Sequence, residues 1–223
     1  MLDEISFLIV NYRTLELTTQ CVESLERFYP RTEILLVDNG SGDESTDTIC
    51  EMAKHSGNIH AILNPTNRFH GPALDQGLRA AQTRLVFCLD SDCEVLQGGF
   101  LEAMAAYFAD ANTYAVGELV HMNRFGYAPP YSKWRSFEYV HPRRMLLDSS
   151  KYLGLRRFNH HGAPCLTNMR QAVQRGYHLH DFPIQEYILH LGRGTCGPYG
   201  YGLGLRHKIE FLFNQALQAL SPK

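Results

Sequence analysis

Between residues 5 and 120, short apolar runs rich in β-branched residues alternate with stretches of helical periodicity. That alternation predicts a parallel sheet built from βαβ units, because each apolar strand needs a helix to cover it and to carry the chain back. The strands are expected at 5–10 (ISFLIV), 33–37 (EILLV), 59–63 (IHAIL), 85–89 (LVFCL) and 114–120. Between the first two, Thr14 is placed to cap a helix carrying Leu17, Cys21, Leu25 and Phe28 at helical spacing, stopped by Pro30. A polar turn, SGDESTD, leads into a second helix with Ile49, Met52 and Ala53, closed by Gly57. Helices over 73–82 and 99–109 complete the pattern.

The second half is less regular. Residues 121–140 are rich in aromatics, Pro and Gly and read as an excursion from the sheet. A helix over 164–175 is expected, with Pro164 in its first turn and Gly176 at its end, followed by strands at 177–182 and 185–190. GRGTCGPYGYGLG places six glycines in thirteen residues, a mobile loop by composition. An amphipathic helix with Ile209, Leu212, Phe213, Ala216 and Leu220 closes the sequence.

Bulk properties narrow the function classes. The net charge is −2 with no polybasic run, so no nucleic-acid partner is expected. No run of about 18 apolar residues occurs, so no transmembrane segment is expected. The first residues carry acids where a signal peptide needs positive charge, and the six cysteines form no CxxC pair; reduced thiols and a cytoplasmic location follow as expectations. Eleven histidines are available for metal binding or proton transfer.

Ligands of open parallel sheets bind beyond the carboxyl ends of the strands. Three such ends are polar here: Val10-Asn11-Tyr12, Asp38-Asn39 and Asp90-Ser91-Asp92. There is neither GxGxxG after the first strand nor GxxxxGK[ST] anywhere, which disfavours a dinucleotide and removes a P-loop. Two carboxylates flanking one small residue suit a hard divalent cation, Mn²⁺ or Mg²⁺, able to hold a substrate diphosphate. Arg193 offers a guanidinium that fits phosphate oxygens. Cys93 follows the acids, but no basic partner stands beside it in sequence, so it is not expected to be a nucleophile.

SFLIVNYRTLELTTQCVESL, EILLVDNGSGDESTD and NPTNRFHGPALDQGLRAAQTRLVFCLDSDCEV resemble, in order and spacing, glycosyltransferase family 2 with the GT-A fold. The resemblance implies an α/β, Rossmann-like, mostly parallel sheet flanked by helices. Its nucleotide-sugar half would span 1–120 and its acceptor-binding half 121–223. It implies transfer of a sugar, often with inversion, from a nucleotide-sugar, most commonly a UDP-sugar, to a glycan, lipid-linked or small-molecule acceptor. Val10, Asn11, Tyr12 and Asp38 would hold the base and ribose. Asp90 and Ser91 would face the nucleotide, and Asp92 the metal and diphosphate. HPRRMLLDSSKYLGLRRF looks like the strand-and-turn segment before the acceptor site, and HLGRGT looks like the family's late His-x-Gly segment, which makes His190 a candidate metal ligand.

One departure bears on mechanism. Many members begin the following helix with Glu-Asp, whose Asp is the general base; here the entry reads Asn159-His160-His161-Gly162-Ala163-Pro164-Cys165. His161 or His160 replaces the carboxylate, Asp181 reaches in from elsewhere, or no protein base is used. A sugar nucleotidyltransferase is disfavoured because NYRTLEL, and no Gly-rich basic loop, follows the first strand. A non-catalytic nucleotide-sugar-binding protein derived from a transferase is the other alternative.

Overall fold

The computed structural model describes residues 2–124, 126, 136–159 and 163–191. Its strands are β1 (Ile5–Asn11), β2 (Glu33–Asp38), β3 (Ile59–Leu63), β4 (Leu85–Asp90), β5 (Cys93–Val95), β6 (Thr113–Met122), β7 (Phe137–Asp148), β8 (His178–Asp181) and β9 (Ile188–His190). The helices are α1 (Leu15–Phe28), α2 (Ser45–His55), α3 (His70–Ala80), α4 (Phe100–Ala105), α5 (Ser149–Leu153) and α6 (Leu166–Gln174). Short 3₁₀ turns lie at Leu2–Glu4, Ala106–Ala109 and Ile184–Glu186.

A seven-stranded sheet has the order β3-β2-β1-β4-β7-β6-β8, with β1, β2, β3 and β4 parallel. All seven residues of β1 are buried, as expected of a central strand covered on both faces. The pleat sends alternate residues to opposite layers. Phe7, Ile9, Leu36 and Phe87 pack with Cys21, Leu25, Ile49, Phe100 and Met104 of α1, α2 and α4. Leu8, Val37, Val86 and Cys88 pack with Leu74, Leu78, Tyr152 and Met169 of α3, α5 and α6. The approach of α3 to β1 depends on Gly77, where a Cβ would lie 2.2 Å from Leu8 Cδ1.

The chain departs from the expected pattern in several places, most of them in the second half. Both ends of the 121–140 excursion belong to the sheet: β6 runs on to Met122, and β7 begins at Phe137. β7 lies antiparallel to both β4 and β6 and separates them. Tyr139, one of the aromatics of that stretch, is fully buried. Pro142 interrupts the strand pattern because it cannot donate to the ladder, and the β6–β7 register shifts between Gly117 and Leu119 opposite it. The strand expected at 185–190 is a 3₁₀ turn followed by β9, which pairs with β5 in a separate two-stranded sheet. Helix α3 starts at His70, earlier than its apolar residues indicate, and the expected 99–109 helix is α4 continued by a 3₁₀ turn. Pro164 precedes α6 and lies outside it. The division at 120/121 falls inside β6, so both proposed halves share one sheet. Residues 192–204 and the stretch expected to form a closing amphipathic helix lie outside the described residues.

Candidate active site

The carboxyl ends of β2, β1 and β4 lie side by side, with Asn11 paired to Asp38 and Val10 to Asp90. The pleat divides this rim between two faces. Asn11 and Asp38 lie on the α1/α2 face, whereas Val10 and Asp90 lie on the α3 face.

On the α1/α2 face Asp38 is the centre of a closed network. Its Oδ1 accepts from Asn11 Nδ2 at 3.0 Å and from the Ser41 hydroxyl, and its Oδ2 accepts from Thr46 Oγ1 at 2.7 Å. Asn11 Oδ1 in turn accepts from Thr14 and Thr18, the latter at 2.8 Å. Asp38, Asn11 and Ser41 are fully buried. Thr14 occupies the N-cap position of α1 without a capping hydrogen bond; its hydroxyl serves Asn11 and lies 3.1 Å from Ser91 Oγ. The turn after Asp38 needs Gly40, at φ 75°, where a Cβ would meet the Thr66 carbonyl carbon at 2.3 Å. Asn39 pins the 64–69 loop beside it: its Oδ1 accepts from Arg68 N and Asn64 Nδ2, and its Nδ2 donates to Asn67 Oδ1.

On the α3 face His70 Nε2 lies 3.5 Å from Asp90 Oδ1. Sequence reading missed His70, because its run of apolar residues placed the helix start three positions later. The preceding Phe69 has φ 67° and ψ 162°, a region natural to glycine, and the residue is 60% exposed.

Asp92 and His190, far apart in sequence, meet through the β5–β9 ladder, where Cys93 faces His190 and Leu191 N donates to Asp92 O. His190 Nε2 lies 3.2 Å from Asp92 Oδ1. Burial pushes the Asp92 carboxyl upward, but the hydrogen bond and charge of His190 outweigh it and hold the group below the usual carboxylate range. Cys93 Sγ lies within 4.8 Å of the same two ligand atoms. The tertiary pairing thus gives Cys93 the histidine neighbour that the sequence does not show. Burial nevertheless drives its thiol well above the ordinary value, and the thiol donates to Arg143 O, so it remains an unreactive, neutral group. An ionised carboxylate and an imidazole, partly buried and converging, form a donor set that fits Mn²⁺ or Mg²⁺, with Mn²⁺ the better match for nitrogen.

Beside this pair, Arg143 and Arg144 both reach Glu118 Oε2, at 2.6 and 2.8 Å, while Arg144 also donates to Ile188 O. The register shift between Gly117 and Leu119 falls at Glu118, the carboxylate on which the two guanidiniums converge. Asp181, the carboxylate considered as a base, caps that shift by accepting from Leu119 N at 3.0 Å. It lies on the edge strand β8, three strands from β4, about 14 Å away at the usual interstrand spacing. Tyr12 follows β1 and stacks against the Arg13 guanidinium. His160, His161 and Arg193 lie outside the described residues.

Comparison with known proteins places the chain in a wider group. The family model described as Glycosyl transferase family 2 matches residues 6–171, well over half of the chain. Poly-beta-1,6-N-acetyl-D-glucosamine synthase of Staphylococcus epidermidis is 35% identical over 91 residues, 40% of this chain and 21% of the relative. The protein of the same name from Staphylococcus aureus (strain COL) is 33% identical over 99 residues, 43% of this chain and 23% of the relative. The chain therefore spans under a quarter of the curated relatives it matches. Among solved structures, the mannosyltransferase PcManGT from Pyrobaculum calidifontis, in complex with GDP-Man and Mn²⁺, superposes with a TM-score of 0.65 at 18% identity, covering 81% of this chain and 55% of that one. S. aureus TarS 1-349 gives a TM-score of 0.55 at 18% identity, covering 76% and 55%. These two likenesses are of fold, and they meet the expectation of a GT-A-type architecture.

Proposed function

This chain belongs to glycosyl transferase family 2, and from that premise we propose that it is a metal-dependent glycosyltransferase taking a nucleotide-sugar at the carboxyl rim of the sheet. The observation that carries the reading is the Asp92–His190 pair, assembled at 3.2 Å beside the end of β4. Asp92 and His190 would hold a divalent cation, and when bound it supplies positive charge to the diphosphate leaving group. Asp90, Ser91 and Tyr12 border the space for the nucleoside and ribose. Asp38 and Asn11 act from beneath, holding the β1 and β2 ends and the Gly40 turn in place, since their side chains are buried and occupied. Any contact of Val10, Asn11 or Asp38 with donor then runs through the backbone edge or follows a local opening. Residues 1–120 serve chiefly the donor and 121–223 the acceptor, with His190 and Arg193 of the second half serving the cation and the diphosphate.

The acceptor hydroxyl must lose a proton, and a base must come within hydrogen-bond reach of it. Asp181 is engaged and three strands away, which favours His161, with His160 as the second candidate, in the segment entering α6. A UDP-sugar donor and an inverting outcome rest on the family resemblance, and the divalent cation is further supported by the Mn²⁺ held by PcManGT, whose own donor is GDP-Man.

The test is calorimetric and kinetic together. UDP, GDP and their sugar conjugates are titrated with and without Mn²⁺, and turnover is followed by release of nucleoside diphosphate. Asp92→Asn should fold normally yet lose metal-dependent donor binding and at least 10²-fold in turnover, because a neutral amide is a poor cation ligand. Metal-independent turnover, or an Asp92→Asn variant near wild-type rate, sinks the proposal. Donor binding without either transfer or hydrolysis identifies a binding protein.

A further inference from the structure

A second group of metal-ligating side chains lies at the opposite end of the sheet. Asp148 of β7 pairs with Leu85, the first residue of β4, and Leu147 pairs with Ala115 near the start of β6. The beginnings of β6 and β8, where Thr113 pairs with His178, are therefore remote from Asp90 and Asp92 at the far end of β4. At this end His178 and His180 alternate onto one face of the edge strand β8, and Asp110 reaches them from the turn that precedes β6. One ligand atom from each of Asp110, His178 and His180 falls within 4.8 Å of the others.

The surrounding hydrogen bonds prepare these groups. Asp110 Oδ2 lies 2.7 Å from His178 Nδ1, and Asp110 also accepts from Asn112 N at 2.8 Å. The Asn112 hydrogen bond, followed by that of His178, holds the Asp110 carboxyl below the usual range, so it is a full anion at neutral pH. The Thr113 hydroxyl spends its only proton on Tyr107 O at 2.8 Å, so at 3.0 Å from His180 Nε2 it acts as acceptor. That fixes the proton of His180 on Nε2 and leaves Nδ1 with a lone pair. Orientation of an imidazole through its second nitrogen is the usual support of a metal-binding histidine.

We propose that Asp110, His178 and His180 form a site for a borderline divalent transition cation of the Zn²⁺ class, separate from the donor rim. Two imidazoles and one carboxylate are the ligands such a cation prefers, with water completing the shell at this exposed position, whereas Mg²⁺ prefers oxygen alone. The cation would join the edge strand β8 to the turn before β6 and hold together two segments far apart in sequence. The site does not depend on the reading of the rim, and its test needs no turnover.

The experiment uses the full chain freed of metal by chelation and titrated calorimetrically with ZnCl₂ alone, with thermal unfolding followed in parallel. Wild type and Asp92→Asn should both show a zinc equivalent that raises the melting temperature. Placed in the Asp92→Asn background, which disables the rim, His178→Ala, His180→Ala and Asp110→Asn should each weaken that equivalent at least tenfold and remove the thermal rise. These side chains are partly or largely exposed, so metal-free melting of the variants should match that of Asp92→Asn, and circular dichroism verifies this. Zinc affinity unchanged in all three variants overturns the proposal. So does zinc binding lost in Asp92→Asn and kept in His178→Ala alone, which would put the cation at the rim.

Discussion

Removing the Asp38 carboxylate should unfold this protein more readily even with no ligand present. In Asp38→Ala the Ser41 hydroxyl, fully buried, loses its acceptor outright. Asn11 Nδ2 keeps only Ser41 Oγ at 3.0 Å, while half-buried Thr46 can turn to water. An orphaned buried donor costs about 1–3 kcal/mol, and a hydrogen bond to a charged acceptor contributes about 1.5–3 kcal/mol. One orphan and one lost charged bond, offset by the desolvation of a carboxylate that is no longer buried, give about 3 kcal/mol. For a chain of this size that lowers Tm by about 6–12 °C. Asp38→Asn should cost only about 1 kcal/mol, because its carbonyl still serves Asn11 and Ser41 while the Thr46 hydroxyl rotates to accept. Urea melts of ligand-free protein, followed by fluorescence and circular dichroism, measure both. An Asp38→Ala variant within about 0.5 kcal/mol of wild type, the ordinary range of surface changes, would show that the network is dispensable and that Asp38 serves the nucleoside alone. An Asn variant as unstable as Ala would show that charge, and not the hydrogen-bond pattern, holds the turn.

At Phe69 the usual order of Gly and Ala should invert: with φ 67° and ψ 162°, Phe69→Gly should be more stable than Phe69→Ala by about 1 kcal/mol, since backbone strain of about 1–3 kcal/mol outweighs the entropy cost of Gly. Ala equal to or better than Gly in urea melts would remove the strain. Burial, and then repulsion by Arg143, lowers the His141 pKa from 6.5 to about 4. Its unfolded form takes up a proton first as pH falls, so its contribution is complete above about pH 6.5 and is lost progressively toward pH 4. His141→Gln should flatten the stability–pH slope across that window; an unchanged slope assigns the acid sensitivity to other groups.

Local patterns in the sequence determine β1 to β4, the helices between them, the Gly40 turn and the acids that end β4. Each is set by residues within a few positions, where apolar period and turn chemistry act directly. β7 escaped that reading because FEYVHPRRMLLD carries Pro142 and two arginines inside the strand, and these make sense only with Glu118 across the sheet. Likewise, sequence placed Asp38 and Asp90 on one rim, but which layer each enters depends on the pairing register of β2, β1 and β4. The family resemblance singled out His190, yet only the β5–β9 ladder brings it to Asp92, and only the true start of α3 brings His70 to Asp90. Strand order and long-range pairing are set by how the whole core packs, and no local periodicity encodes which distant strand end will lie beside which.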